Sequence, residues 1–278
     1  LMETGRYKQA ERYLKKAAKV RKVSLKAQTE LARLEMKKGD LAAARKRLEA
    51  VIKKDRLQFE ARLLRGRLLL MTGSRIAANT VFKDFFRDLD NGYLKKSDPS
   101  HLLYLGRAAR GQKSWQEASS TFEQASKKAP GNPRIWLAWA ELALRKYRVD
   151  WADQFYKKVL KINPNHPEAL AGMAWVEWYA PRSNHHKGRK MAHKALKVNP
   201  KCLSAMLYLV SLEGFDAKCA PARKTLKKAL GINPKHLRAL ALKGAVHFLQ
   251  DQDAAFKKVK ALALSINPHN GRFFNLAG

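Results

Sequence analysis

Lys161-Ile162-Asn163-Pro164, Gly231-Ile232-Asn233-Pro234 and Ser265-Ile266-Asn267-Pro268 are nearly one phrase written three times, each closing a stretch rich in Ala, Leu and Lys. Phrases of this kind punctuate helices. Together with Pro130 and Pro200, their prolines fall at steps of 34, 36, 34 and 34 residues. A fixed period of that size predicts a solenoid, an all-α array of stacked helical hairpins.

Small residues twelve positions before the prolines extend the ruler, as Ala118, Ala152, Gly188 and Ala222, with Ala10, Ala44 and Ala78 upstream. The ruler divides the chain into a half repeat at 1–24, repeats at 25–58, 59–98, 99–132, 133–166, 167–202, 203–236 and 237–270, and the start of a further repeat at 271–278. Three misfits stand out. Repeat 59–98 is too long around Asn91-Gly92, repeat 167–202 carries extra residues near Asn184, and Phe256 replaces the small residue in the last repeat. A small group at these stations lets two helices approach closely, where a larger one would overpack the contact by roughly 1 to 3 kcal/mol. Four positions on, Phe82, Phe122, Tyr156 and Leu226 share the same helical face and fill the seam to the next hairpin. No single hairpin buries that face alone, so stacking makes the array stable.

Repeat 99–132, with Leu102, Leu105, Gly106, Ala109, Ala118, Phe122, Ala125 and Pro130, resembles the tetratricopeptide repeat, and so does repeat 133–166, with Trp136, Trp139, Ala140, Ala143, Ala152, Tyr156, Val159 and Pro164. In both the family's usual Tyr is Ala, and the likeness is weakest at 59–98 and 237–270. The resemblance implies a right-handed α-solenoid in which first helices line a concave groove and second helices form the convex wall. It also implies a non-enzymatic scaffold that holds a protein or peptide partner in the groove. Gly5, Tyr7, Ala10, Leu14 and Ala17 read as a second helix without its first, and Arg272, Phe274 and Gly278 as the opening of another first helix. A segment of a longer array is therefore expected.

Lys and Arg number 57 against 23 Asp and Glu, a formal charge of +34. Lys157-Lys158 and Lys227-Lys228 fall on the same two stations of the second helix, so a basic convex stripe is expected. One reading is a solvated face that keeps the array soluble. The other is a field that draws in an anionic polymer or surface: acidic polysaccharide, RNA or an anionic membrane.

Inside the groove, station 9 reads Arg33, Arg67, Arg107, Glu141, Trp175, Ser211 and Ala245 along the array, and Arg110 stands at station 12. This arginine ladder suits carboxylate or phosphate, which the guanidinium fork binds bidentately. The alternative is pairing within the wall, to Glu30 or Glu60. Beyond the arginines, Trp175, Trp178, Tyr179, Tyr208, Phe215 and Phe248 suggest an aromatic half-groove, with Trp175 expected to be exposed and Phe215 and Phe248 packed between hairpins. Aromatic anchors of this kind carry much of the energy of peptide recognition. The carboxylate clamp of some family members is not expected, since station 9 never holds Asn.

Catalytic and cofactor chemistry is not expected. There is no phosphate-binding Gly loop and no His-Glu-x-x-His. His185, His186 and His193 stand among Lys187, Arg189 and Lys190 without a carboxylate or Cys partner, so no metal site is expected. A small-molecule substrate is not expected either, although an enzyme elsewhere in an intact protein would be served by such an array as a recognition arm. Cys202 and Cys219 are expected as reduced thiols, because a helix of about 13 residues, near 20 Å long, separates them. No apolar stretch approaches the roughly 18 residues of a membrane span. The compartment, cytoplasmic or periplasmic, is left open.

Overall fold

The computed structural model describes residues 1–215, 219–271 and 273, without the side chain of Phe215. The expected helix opening at 271–278 thus lies, apart from Gly271 and Phe273, outside the described residues, as does the packing of the Phe215 ring. Among the described residues the chain is all helix, with no strand. A lone helix α1 (Tyr7–Ala17) leads through a 3₁₀ turn at Arg21–Val23 into seven hairpins. These are α2 (Ser24–Lys38) with α3 (Leu41–Lys54), α4 (Phe59–Met71) with α5 (Arg75–Asp90), α6 (Pro99–Gly111) with α7 (Trp115–Lys128), and α8 (Pro133–Arg145) with α9 (Val149–Ile162). They continue as α10 (Pro167–Tyr179) with α11 (His185–Val198), α12 (Leu203–Phe215) with α13 (Cys219–Ile232), and α14 (Leu237–Phe248) with α15 (Asp253–Ile266).

Each hairpin packs on the next, and the first helices also touch one another: α2 with α4, α4 with α6, and onward to α12 with α14. Close first helices and splayed second helices bend an α-solenoid with the first helices inside. The seam is set by size. Ala44, Ala78, Ala118, Ala152 and Ala222 are fully buried, and Phe82 and Phe122 lie beside them at 3% and 0% exposure. A Cβ on Gly66 would fall 2.5 Å from the Phe82 ring, and one on Gly106 2.5 Å from the Phe122 ring. The aromatic rings therefore occupy the volume that glycine leaves.

The misfits have physical causes. After α5 the extra residues form a loop whose Leu94 is buried against Phe82, Phe85 and Leu105. The same corner holds a buried ion pair, Arg62 with Asp88, which Arg56 joins at 3.2 Å. Near the second insertion, Asn184 caps α11 by accepting from the Lys187 N–H at 2.9 Å. Phe256 packs against Phe273 and Phe248, with centroids 5.7 and 6.1 Å away, so its larger ring occupies an end seam lined by aromatics.

The Asn-Pro phrases do more than end helices. In each, the Asn Oδ1 accepts the N–H two residues on, at 3.0 Å for Asn163, 2.9 Å for Asn199, 3.0 Å for Asn233 and 2.9 Å for Asn267. These Asx turns fix the direction of the amide. In the last three phrases the amide lies against a hairpin turn from the start of the chain: Asn199 on Gly5, Asn233 on Gly39 and Asn267 on Gly73, each 194 residues apart. Asn233 Nδ2 donates to the Met36 carbonyl at 3.3 Å and Asn267 Nδ2 to that of Leu70 at 3.4 Å. Arg75 donates to the His269 carbonyl at 3.4 Å, and the Lys201 ammonium sits 4.7 Å over the Tyr7 ring. Between five and six repeats thus complete one turn of the superhelix, and the next turn lands on the first.

The three glycines follow from that closure. Gly5, Gly39 and Gly73 have φ of 73, 84 and 87°, the left-handed region, and Lys113, Tyr147 and Asp251 adopt it at the equivalent turns of later hairpins. Left-handed backbone alone thus admits other residues here. A Cβ at Gly5 or Gly73, however, would stand 2.5 or 2.7 Å from the asparagine Oδ1 above it. Layer contact demands glycine.

Candidate functional site

Closure converts the concave groove into a lumen, and the arginine ladder faces into it. Arg33 on α2 pairs with Glu30 at 3.0 Å and with Glu60 of α4. Arg107 on α6 and Arg134 on α8 approach the same Glu60 carboxylate at 3.6 and 3.2 Å. Arg110 holds Glu141 at 2.9 Å. Burial would raise both carboxyls, but the guanidiniums, Arg33 foremost for Glu60 and Arg110 for Glu141, hold them below the usual carboxylate range. Burial pushes Arg107 down to about 10 against the attraction of Glu60. Burial works on Arg33 in the same direction, yet Glu60 and Glu30 hold it above the ordinary arginine value.

Arg67 is different. No carboxylate lies within 4 Å of it among the described residues. Its side chain is exposed to solvent, and the protein packed around it lowers its proton affinity by desolvation despite the pull of Glu141. Arg110 and Arg33 push in the same direction as burial. Pairing within the wall thus accounts for Arg33, Arg107 and Arg110 and leaves Arg67 as the accessible guanidinium of the ladder.

A cavity of about 290 Å³ lies at this point, bounded by Arg33, Met36, Lys37, Arg67, Lys201 and Asn233 among others. Lys37 reaches Glu168 on α10 at 3.7 Å, across from α2. A larger cavity of about 430 Å³ opens between α2 and α3, away from the ladder. Its guanidinium, Arg47, is committed to Glu35 at 2.7 Å and to Gln28, so the lumen cavity is the better candidate.

The aromatic half-groove needs correction. Trp175 is 4% exposed and Tyr208 is fully buried. Trp175 stacks on Tyr179 at 6.0 Å, meets Tyr208 edge-on at 5.4 Å, donates its indole N–H to the Ser204 carbonyl at 3.3 Å, and lies under the Arg238 guanidinium at 3.9 Å. The Tyr208 hydroxyl donates to the His185 carbonyl at 3.5 Å and rests over Gly188, where a Cβ would fall 2.7 Å from the ring carbon bearing it. The physical reason is that α10, apart from Glu168 and Glu177, is apolar around its circumference, so both of its faces are covered. Trp178 is half-buried, 5.3 Å from the His185 ring. Phe248, expected to be packed, is 54% exposed.

Lys157 and Lys158 on α9 and Lys227 and Lys228 on α13 are exposed on second helices. Lys157 pairs with Asp153 at 2.6 Å, and Lys158 stands 5.3 Å over the Trp136 ring. Among the described residues no group of three His, Cys, Asp or Glu gathers to hold a metal. Cys202 and Cys219 are free, and burial pushes the Cys202 thiol up to about 11.

The tetratricopeptide repeat pattern matches residues 1–68 and 109–176. The whole architecture is similar to a tetratricopeptide repeat protein from Parabacteroides merdae ATCC 43184, with a TM-score of 0.61 at 16% identity over 91% of this chain and 97% of that one. This chain is a tetratricopeptide repeat protein. A thermophilic tetratricopeptide repeat protein from Thermus thermophilus is similar over 64% of this chain and 96% of that one, with a TM-score of 0.58 at 17% identity. Among curated proteins none matches the sequence. Tetratricopeptide repeat domains are generally non-enzymatic interaction scaffolds that bind proteins or peptides.

Sequence spacing placed Arg33, Arg67, Arg107 and Arg110 on one stripe and named Glu30 and Glu60 as partners within the wall, but it missed that Glu60 gathers Arg33, Arg107 and Arg134 together, and it missed Lys201 and Tyr7. Glu60 stands at station 2 of its repeat, two turns before Arg67, and its station was a usable signal. Lys201 and Tyr7 meet only because the coil closes, which no local pattern encodes.

Proposed function

We propose that this tetratricopeptide repeat protein is a non-enzymatic scaffold that holds a protein or peptide partner along its inner wall and organises a complex around it. The observation that carries this reading is the solvent-exposed Arg67 in a lumen where Arg33, Arg107 and Arg110 are already held by carboxylates of the chain. Arginines fixed by packing and by acidic neighbours are preorganised, which lowers the ordering cost of binding. In the test, a photocrosslinking amino acid at position 67 captures a partner that the same probe at the convex position 158 does not, and Arg107→Glu reduces the yield. Equal labelling from both positions refutes the reading.

A second reading rests on the exposed lysines of α9 and α13: the convex face binds an anionic polymer or surface. Its affinity would fall steeply with salt, as released counterions require. Binding of RNA, acidic polysaccharide or anionic vesicles that ignores Lys157→Glu, Lys158→Glu, Lys227→Glu and Lys228→Glu together removes it.

A further inference from the structure

The lumen cavity belongs to two layers of the coil at once. Arg33, Lys37 and Arg67 come from the first two hairpins, while Lys201, Asn199 and Asn233 come from the turns that land on them. Asn199 and Asn233 are also the residues that seat against Gly5 and Gly39, so the cavity exists only while the coil is closed. Of its acids, Glu141 is held by Arg110, while Glu168 faces Lys37 at 3.7 Å and keeps its second oxygen buried without a hydrogen-bond partner; no carboxylate comes within 4 Å of Arg67 among the described residues.

We propose that this cavity binds a carboxylate group, held by Arg67 on one layer and Lys201 on the other, and that binding and closure of the coil are coupled. The chemistry favours a carboxylate over a phosphate. Guanidiniums of this wall are already met by planar carboxylates, Glu60 and Glu141, and those same acids with Glu168 repel a dianion more than a monoanion. The volume of about 290 Å³ accepts one acidic side chain, a chain end or a small carboxylic acid, and lies at the lower edge of the range for ligand cavities. Coupling follows from geometry. A ligand that touches both layers favours the closed coil by the same factor by which closure raises its affinity. The proposal rests on the scaffold reading only for the source of the carboxylate, an acidic polypeptide segment as against a free acid.

Calorimetric titration tests it with an octaglutamate peptide, glutarate and inorganic phosphate as probes, alongside solution scattering for the radius of gyration. The expected result is binding of peptide or glutarate that Arg67→Gln weakens about tenfold without changing the radius, the loss of one charge-assisted hydrogen bond. Gly39→Asn, which keeps left-handed backbone accessible but places a side chain under Asn233, is expected to enlarge the radius and weaken binding together. Asn233→Ala serves the same purpose if that variant does not fold, and Gln124→Ala on the exposed side of α7 leaves both readouts unchanged. Tighter binding of peptide than of glutarate assigns a polypeptide source; equal binding assigns a small acid. Undiminished affinity in Arg67→Gln overturns the proposal, as does phosphate binding as tight as glutarate, or an expanded coil of unchanged affinity. Failure of the crosslinking test with carboxylate binding intact would strike the scaffold reading and spare this site.

Discussion

The side-chain amide of Asn233 donates to the main-chain carbonyl of Met36 at 3.3 Å, across 197 residues of a chain whose other contacts are almost all between neighbouring repeats. A repeat array ordinarily gains stability from one nearest-neighbour interface after another. Here one turn of the superhelix rests on the next, and the array acquires a long-range term. Loosening any one contact between layers therefore acts on the shape of the whole coil.

Replacing Gly39 by Asn separates backbone strain from layer contact, because Asn tolerates positive φ. A substantial loss, about 1 to 3 kcal/mol as for overpacking, is expected in denaturant unfolding, with an expanded coil in solution scattering. Tyr147, with φ of 57° and 71% exposure, is the control. Tyr147→Gly relieves its left-handed strain and should be neutral or stabilising, with no change in radius.

Asn163 and Asn233 sit in the same phrase and form the same Asx turn, yet Asn233 is 3% exposed and bonds to another layer, whereas Asn163 is half-buried and makes no such bond among the described residues. Asn163→Ala loses only the turn. Asn233→Ala loses the turn and the bond to Met36, so it should cost about 1 kcal/mol more. Hydrogen exchange at the end of α2 should quicken in Asn233→Ala alone; equal protection in both variants would contradict the closure.

The period made the hairpins legible, because small residues such as Ala118 and Ala152 and rings such as Phe122 and Tyr156 act within one repeat and its neighbour. Legibility ended where contacts left that range. Asn233 and Gly39 each look like ordinary turn residues, and only curvature summed over more than five repeats brings them together. The same limit governed the site: Arg67 was found by its station, but its freedom depends on which neighbours Glu60 and Glu141 satisfy. Trp175 misled because position on an inner-facing stripe does not specify exposure when the helix, apart from two glutamates, is apolar around its circumference.

Arg62 and Asp88 form an ion pair whose side chains are 10% and 4% exposed, capped by Arg56 and by the rings of Phe85 and Phe59. Asp88→Ala strands a buried guanidinium and should destabilise by about 3 to 5 kcal/mol. The double substitution Arg62→Met with Asp88→Leu should recover most of that loss. Chemical denaturation of the three variants decides it, and a double variant no better than Asp88→Ala would show that the pair carries packing rather than charge.

Truncating Trp175 tests stability rather than recognition. Buried among Trp178, Tyr179 and Tyr208 and bonded to Ser204, it should cost about 3 to 5 kcal/mol as Trp175→Ala. Carboxylate binding by whatever fraction remains folded should be unchanged, since Trp175 is absent from the lumen cavity. A stable Trp175→Ala variant with impaired partner binding would restore the aromatic groove.

Acid should weaken the inner wall first. Glu60 and Glu141 are held below the ordinary 4.5 of a glutamate by Arg33, Arg107 and Arg134 in one case and by Arg110, Arg67 and Arg107 in the other, against the opposing effect of burial. A carboxyl whose folded value is depressed takes up its proton more readily in the unfolded chain. Its contribution is therefore complete above the unfolded value and is lost as pH falls through the folded one. Unfolding midpoints should be flat near neutrality and decline below about pH 4.5, the ordinary value. Glu60→Gln removes the titrating group while leaving Arg33, Arg107 and Arg134 facing an amide, so it should lower stability at pH 7 and make the acid decline shallower. A variant whose midpoint runs parallel to wild type from pH 7 to pH 3 would mean that Glu60 does not bind the three arginines together.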